Sequence, residues 1–456
     1  MIKLHRASDL AADRDKHSAM STGQLDVLVS GQPIWVIAGP MDAGGPAAIA
    51  ASLCQLSAGD PRRRLGLIPK RYSHTWAFDP GTLEDATLQI PVSLPPVVDS
   101  AGAISAALNS VLRSNLDIRV SVAVIPDGDF PVFHFDHGLG DAHIVMKAIA
   151  AVSCSGAGDD MFPTASDIPN VRYPAVWAAL NAARTAPGTF VSAIWAVFQD
   201  KMGGVRSRLG ERSQSRGEPH RVLGTSEPYC AVFLKSPSDY AARVRRYRAA
   251  HQLNMSVSAL TMYFIGRALN AAGIPLSGVE VLVDLRRYLP DSRFTWANFT
   301  AVSRIEFRPD RTAQEFAEKL ATNLTSTRPL IEHVGGMAKL RLISLASPRH
   351  RDTAWVAGER SATGAATLTL SDISRLPAVA DVRWRRGARP NLAVALPPAS
   401  RSHIAILICA PCPDEFQLTA TFFPTEFDVD TIRDALSQAL AITDVGDPPP
   451  GFVQAE

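Results

Sequence analysis

The chain is 456 residues long, 46% hydrophobic and 20% charged, with a formal net charge of +2 at pH 7. This length suggests roughly two or three domain-sized units, and this composition suits a globular protein with enough apolar side chains for large cores. The near balance of charge argues against a dedicated nucleic-acid binder, and no uninterrupted apolar stretch approaches the ~18 residues of a membrane span.

The opening Met1-Ile2-Lys3-Leu4-His5-Arg6 lacks the apolar core of a secretion signal. The five cysteines then read as reduced thiols, and a cytoplasmic location is expected. A short strand is predicted at 35–38 and an alanine-rich helix at 46–56. Apolar residues at helical spacing predict a helix over 101–112, with Ser100 as its N-cap. Alternation over 118–125 predicts a half-buried strand, and 130–135 its hairpin partner through Pro126-Asp127-Gly128-Asp129.

The next segment, Phe133-His134-Phe135-Asp136-His137-Gly138-Leu139-Gly140-Asp141-Ala142-His143, runs from strand through a glycine-bearing turn into a helix predicted over 141–152. It presents one histidine at the strand-to-loop junction. An imidazole with a pKa of about 6.5 is the usual protein base for taking a proton from an alcohol or amine. Gly138 and Gly140 allow a close approach of substrate to backbone, though a plain turn needs the same residues.

Gly, Arg, Ser and Glu dominate 201–225, which is expected to be a linker between an N-terminal unit (1–200) and a C-terminal one (226–456). The second unit restarts with a strand at 229–234 and a helix at 236–251. A longer apolar helix follows at 256–272, closed by Gly273. Strands are predicted at 279–285, 299–307, 366–370, 404–409 and 417–423, and a last helix at 429–440. The class is mixed α/β.

The spacing His137-x-x-x-Asp141 resembles the HHxxxDG signature of the CoA-dependent acyltransferase superfamily. That group includes chloramphenicol acetyltransferase, nonribosomal peptide condensation domains and polyketide-associated acyltransferases. Val283-Asp284-Leu285-Arg286-Arg287-Tyr288-Leu289-Pro290 is similar to the family's VDLRRRL block, and Trp296-Ala297-Asn298-Phe299-Thr300 to its GNF strand entry. Leu368-Thr369-Leu370-Ser371-Asp372-Ile373 stands where relatives carry a strand ending in SN(L/I)G. Asp136 replaces the first histidine of the signature, and Ala142 its glycine.

The resemblance implies two chloramphenicol acetyltransferase-like subdomains in a V, with a tunnel at their interface. It implies that His137 deprotonates a hydroxyl or amine acceptor, which attacks the thioester of acyl-CoA or of an acyl-phosphopantetheine on a carrier protein. Asp141 would pair with an arginine to hold the loop, Arg286 or Arg287; strand alternation sends the two to opposite faces, so only one can do it, and Arg286 is preferred. Asn298 and Ser371 are candidates for oxyanion contacts. Asp136 would raise the His137 pKa if it points inward. No resident cofactor is expected, and the product belongs to specialised metabolism.

Duller readings accompany these. Asp141 also suits a helix N-terminus. His134, Asp136, His137, Asp141 and His143 include metal-ligand types, but their spacing matches no helical HExxH arrangement, so no metal is expected. Cys409-Ala410-Pro411-Cys412 lacks a redox context. The arginine clusters at 62–64, 243–248 and 383–389 read as solvated surface, or as contacts to coenzyme A phosphates or an acidic carrier protein. No phosphate-binding glycine loop is present. A different class of function, a non-catalytic condensation-like domain that recruits a carrier protein or partner enzyme, stays open because of Asp136 and Ala142.

Overall fold

The computed structural model describes residues 19–43, 46–57, 64–70, 73–83, 101–113, 121–124, 130–154, 171, 173–210, 228–346 and 364–441. The first half contributes β1 (Ala19–Ser21), α1 (Gln24–Val29), β2 (Pro33–Gly39), α2 (Pro46–Ser57), β3 (Leu67–Ile68) and β4 (Thr75–Phe78). It continues with α3 (Ala101–Leu112), β5 (Ser121–Val124), β6 (Pro131–Asp136), α4 (Ala142–Ser153), α5 (Pro174–Thr185) and α6 (Pro187–Gly210). The second half opens with β7 (Cys230–Lys235), α7 (Tyr240–Ala250), α8 (Val257–Ala271), β8 (Leu276–Asp284), β9 (Thr300–Ile305), α9 (Ala313–Thr325) and α10 (Arg328–Ala346). It closes with β10 (Ala366–Asp372), α11 (Pro377–Ala380), β11 (Asn391–Ala395), β12 (His403–Cys412), β13 (Glu415–Phe422) and α12 (Val429–Leu440).

The described strands form a four-stranded sheet (β11-β2-β6-β5), a six-stranded sheet (β7-β13-β12-β10-β8-β9) and a small one (β1-β4-β3). Strand β6 explains why its sequence is apolar on both faces. Phe133 and Phe135 pack into a core with α2 and α4, while Val132 faces the core under α3. His134 stacks on Trp35 at 4.0 Å on that second face. The larger sheet is covered by α7, α8, α9 and α12 around Leu260, Tyr263, Leu368 and Ile406. Helix α8 starts where Ser256 accepts the Ala259 N–H, and α9 where Thr312 and Glu315 form a reciprocal cap.

The two halves interleave. Strand β11, from the second half, pairs antiparallel with β2 of the first, Ala393 opposite Ile37. Helix α3, from the first half, covers the open edge of β7. Asn109 accepts from the Ala231 N–H and donates to the Ala231 carbonyl, both at 2.8 Å, and Ser105 Oγ accepts from Phe233 N–H at 2.8 Å. An uncovered edge strand leaves backbone groups unpaired. Asn109→Ala is therefore expected to cost about 1–3 kcal/mol in denaturant unfolding, because two main-chain groups lose their partner at once.

Residues 201–210 are helical rather than irregular linker: α6 runs on to Gly210, carried by a sequence that is mostly helix-forming around Gly203-Gly204. Residues 211–225 and the expected cap Ser100 lie outside the described residues.

Candidate active site

The residues from His137 to Leu139 form one 3-10 turn at the end of β6, and Asp141 begins α4. Asp136 accepts from Gly138 N–H at 2.7 Å and from Gly31 N–H at 2.9 Å. Its carboxylate is thus buried in backbone contacts and turned to holding the turn. Against the rise expected from an inward-pointing Asp136, burial holds the His137 imidazole below its ordinary value. The carbonyls of His137 and Gly140 and the carboxylates of Asp141 and Asp26 oppose the shift without cancelling it. The ring is half-buried, and its Nδ1 is buried without a hydrogen bond.

Two glycines are required by close approach. A Cβ on Gly138 would lie 2.8 Å from the Trp76 ring and 3.0 Å from the Asp26 carbonyl. One on Gly140 would meet Ile144 at 2.6 Å and the Trp296 carbonyl at 2.8 Å. The turn is therefore packed against both halves.

Asp141 accepts from His143 N–H at 3.1 Å, as a helix cap, and from Arg286 Nη1 at 2.8 Å. Arg286 is buried and commits four of its five N–H groups. Its Nη1 also reaches Asp284 at 3.0 Å, Nε donates to the Thr295 carbonyl at 2.8 Å, and Nη2 to the Ala297 carbonyl at 2.8 Å. Arg287 is exposed. Residues Leu285–Tyr288 are a 3-10 turn rather than a strand, so neighbouring side chains diverge by about 120°. At Asp284, burial pushes the carboxyl up. The His143 hydrogen bond, the Arg286 charge and the Arg286 N–H outweigh it and hold the pKa down at about 2.

A second buried pair lies on the other flank. Arg64 Nη2 meets Asp26 Oδ2 at 3.0 Å, with the side chains 2% and 1% exposed. Arg64 also donates to the carbonyls of Gly138, at 3.0 Å, and of Leu139. The expectation of a solvated arginine at 64 is thus corrected: its guanidinium finds a carboxylate and two loop carbonyls, which offset desolvation. Asp26 accepts as well from Asn298 N–H at 2.9 Å and Asn298 Nδ2 at 3.0 Å. The second Nδ2 hydrogen of Asn298 goes to the His137 carbonyl at 2.8 Å. Both amide hydrogens are committed, so Asn298 has none left for an oxyanion and instead ties the turn to the second half. Ser371 is half-buried near the end of β10, where its backbone pairs with β12 opposite Leu407.

The other features noted in the sequence sit apart. Among the described residues no three His, Cys, Asp or Glu side chains converge as a metal site. Cys409 and Cys412 are free thiols on β12, Cys409 buried. Arg245 pairs with Asp414 at 2.7 Å and Arg385 with Asp42 at 2.9 Å on the surface. Nothing local to the sequence joins Asp26 to Arg64; a polar residue inside the apolar run at 25–29 was the available signal for Asp26. For α5 and α6, the missed signal was Pro174 and Pro187, each heading a run of mostly helix-forming residues.

Buried histidines elsewhere follow the same rule as His137. His403 takes the Ala399 N–H on Nδ1 at 2.8 Å, which leaves the proton on Nε2 for Thr369 at 2.7 Å. Burial lowers its pKa to about 4, and that of His333 to about 4. A depressed histidine pKa favours the neutral form in the folded state, so the stability it contributes is present above the unfolded value of 6.5 and lost as pH falls toward 4. Tm is expected to drop across that window. His403→Gln should remove part of the dependence, about 3 kcal/mol for this shift, as read by unfolding at stepped pH.

No family model matches the chain, and no curated protein matches it by sequence. Solved structures match it throughout. A nonribosomal peptide synthetase, FmoA3, aligns with a TM-score of 0.56 at 15% identity over 96% of this chain and 44% of its own. The chain thus spans less than half the length of that synthetase. The trichothecene 15-O-acetyltransferase from Fusarium sporotrichioides aligns with a TM-score of 0.53 at 13% identity, over 92% of this chain and 93% of its own. The first condensation domain of the calcium-dependent antibiotic synthetase, solved with a substrate analogue, gives 0.54 at 12% identity, covering 93% and 95%. The fold is therefore the chloramphenicol acetyltransferase-like one shared by condensation domains and these acetyltransferases.

Proposed function

We propose that this protein is an acyltransferase that moves an acyl group from a coenzyme A or carrier-protein thioester to a hydroxyl or amine acceptor, with His137 as general base. The observation that carries this is the loop itself. One half-buried imidazole, kept neutral by burial, sits on a turn clamped by Arg286–Asp141, Arg64–Asp26 and Asn298. Such anchoring fixes a base in one orientation, and positioning is most of what an activated thioester requires.

In the reaction the acceptor's O–H or N–H proton passes to Nε2 as its oxygen or nitrogen bonds to the thioester carbonyl carbon. The tetrahedral intermediate collapses with cleavage of the C–S bond, and the imidazolium returns its proton to the leaving sulfur. Asp141 and Arg286 act through the loop rather than on substrate. Gly138 and Gly140 let the turn pack. The Ser371 hydroxyl is the remaining side-chain candidate for the oxyanion.

The test is free-thiol release from a panel of acyl-CoA and acyl-pantetheine thioesters, with and without hydroxyl and amine acceptors. Acceptor-dependent release is expected. No release with any donor would overturn the proposal in favour of a carrier-recruiting domain.

A further inference from the structure

Helix α6 is apolar on two sides. Ala193 and Val197 are buried, and Phe190 packs toward the core that contains Leu285 and Phe299. Yet Val191, Ile194, Trp195 and Phe198, at i, i+3, i+4 and i+7, form a second stripe that faces water, with Trp195 59% exposed. The Trp195 and Phe198 rings stack at 5.8 Å. Val176 and Leu180 continue the exposed surface on α5. Of the nine exposed large hydrophobic side chains among the described residues, seven lie between Tyr173 and Phe198. A helix apolar all round is normally covered, and a patch of this kind marks a contact surface.

The polar groups of the hairpin select what covers it. Ser192 donates to its own helix at Thr189 O, Thr185 to Asn181 O, and Asn181 to Tyr288 O, at 2.9, 2.8 and 3.1 Å. Few side chains are left for the directional bonds that rim a protein interface. The only charged residue from 173 to 199 is Arg184, which is exposed. The same helix α6 then runs into Lys201, Arg206 and Arg208, so 173–210 holds four basic residues against one acidic, Asp200. Apolar and aromatic stripes followed along the same helix by basic residues suit a headgroup boundary that is negative outside and greasy beneath.

We infer that the α5–α6 hairpin docks the protein onto an anionic lipid bilayer, lying in the interface rather than crossing it. Crossing is not called for, since no helix among the described residues is long and apolar enough to span.

Flotation of the full chain with phosphatidylcholine vesicles, with and without phosphatidylglycerol, tests this. Binding to the phosphatidylglycerol vesicles is expected to be at least about tenfold tighter than to phosphatidylcholine alone, and to weaken with salt. The double variant Trp195→Ser, Phe198→Ser should lose at least about tenfold affinity with its Tm unchanged, because both side chains are exposed. Lys201→Glu with Arg206→Glu should remove the preference for phosphatidylglycerol. Wild-type protein that stays unbound with both vesicles would overturn the inference. So would a concentration-dependent dimer dissolved by the Trp195 and Phe198 changes, which would give the face to a second copy. Binding is read without acyl transfer, so it stands or falls apart from the chemistry at His137.

Discussion

His137→Ala is expected to cut acceptor-dependent thiol release by about 10²–10⁴-fold, the usual contribution of a positioned general base. Folding stability should change little, by less than about 1 kcal/mol. The ring is half-buried and its Nδ1 makes no bond that the variant would lose. The combination separates a reacting group from a structural one. The pH profile supplies a second readout. Burial keeps the imidazole below its ordinary value of 6.5, so the base is already neutral at neutral pH. The acidic limb of kcat/KM should therefore fall below pH 6.5, and His137→Ala should abolish it. Equal turnover by wild type and variant would remove His137 from the mechanism.

The second large effect lies in the buried ion pairs. Arg286→Met would leave Asp141, 9% exposed, without its cation, and three acceptors would lose their donors. Removing one partner of such a pair costs about 3–5 kcal/mol, because the remaining charge stays buried. Asp284 suffers less, being 42% exposed and still paired with His143 at 3.0 Å. The double variant Asp141→Leu, Arg286→Met should therefore recover much of the loss in a denaturant-melt cycle. Arg286→Lys keeps the charge but loses the planar fork, and should rescue only in part. Arg64→Met is expected to be at least as damaging, since Asp26 is more deeply buried and the Gly138 and Leu139 carbonyls lose their donor. Single-variant costs under about 1 kcal/mol would show that neither pair holds the loop.

Much of the secondary structure was legible because periodicity is a local signal. The strand before His137, the helices over 101–112 and 429–440, and the paired strands at 404–409 and 417–423 all appear near their expected places. What was missed has local causes too. Strand β11 (Asn-Leu-Ala-Val-Ala) is Asn391 followed by four small or apolar residues with no alternation, buried on both sides. Helix α9 carried a readable Thr312-x-x-Glu315 cap that periodicity alone passed over.

The local chain by itself determined a histidine on a glycine-bearing turn between strand and helix, with a carboxylate placed to cap that helix. It determined the mixed α/β class for the same reason, since near-neighbour sterics and hydrophobic period act within a few residues. Only the tertiary structure decided which arginine reaches Asp141 and that Arg64 is buried against Asp26. It also decided that the Asn298 amide holds the turn through Asp26 and the His137 carbonyl. Ion pairs and amide contacts between distant segments depend on which surfaces meet and exclude water, and no spacing along the chain records that.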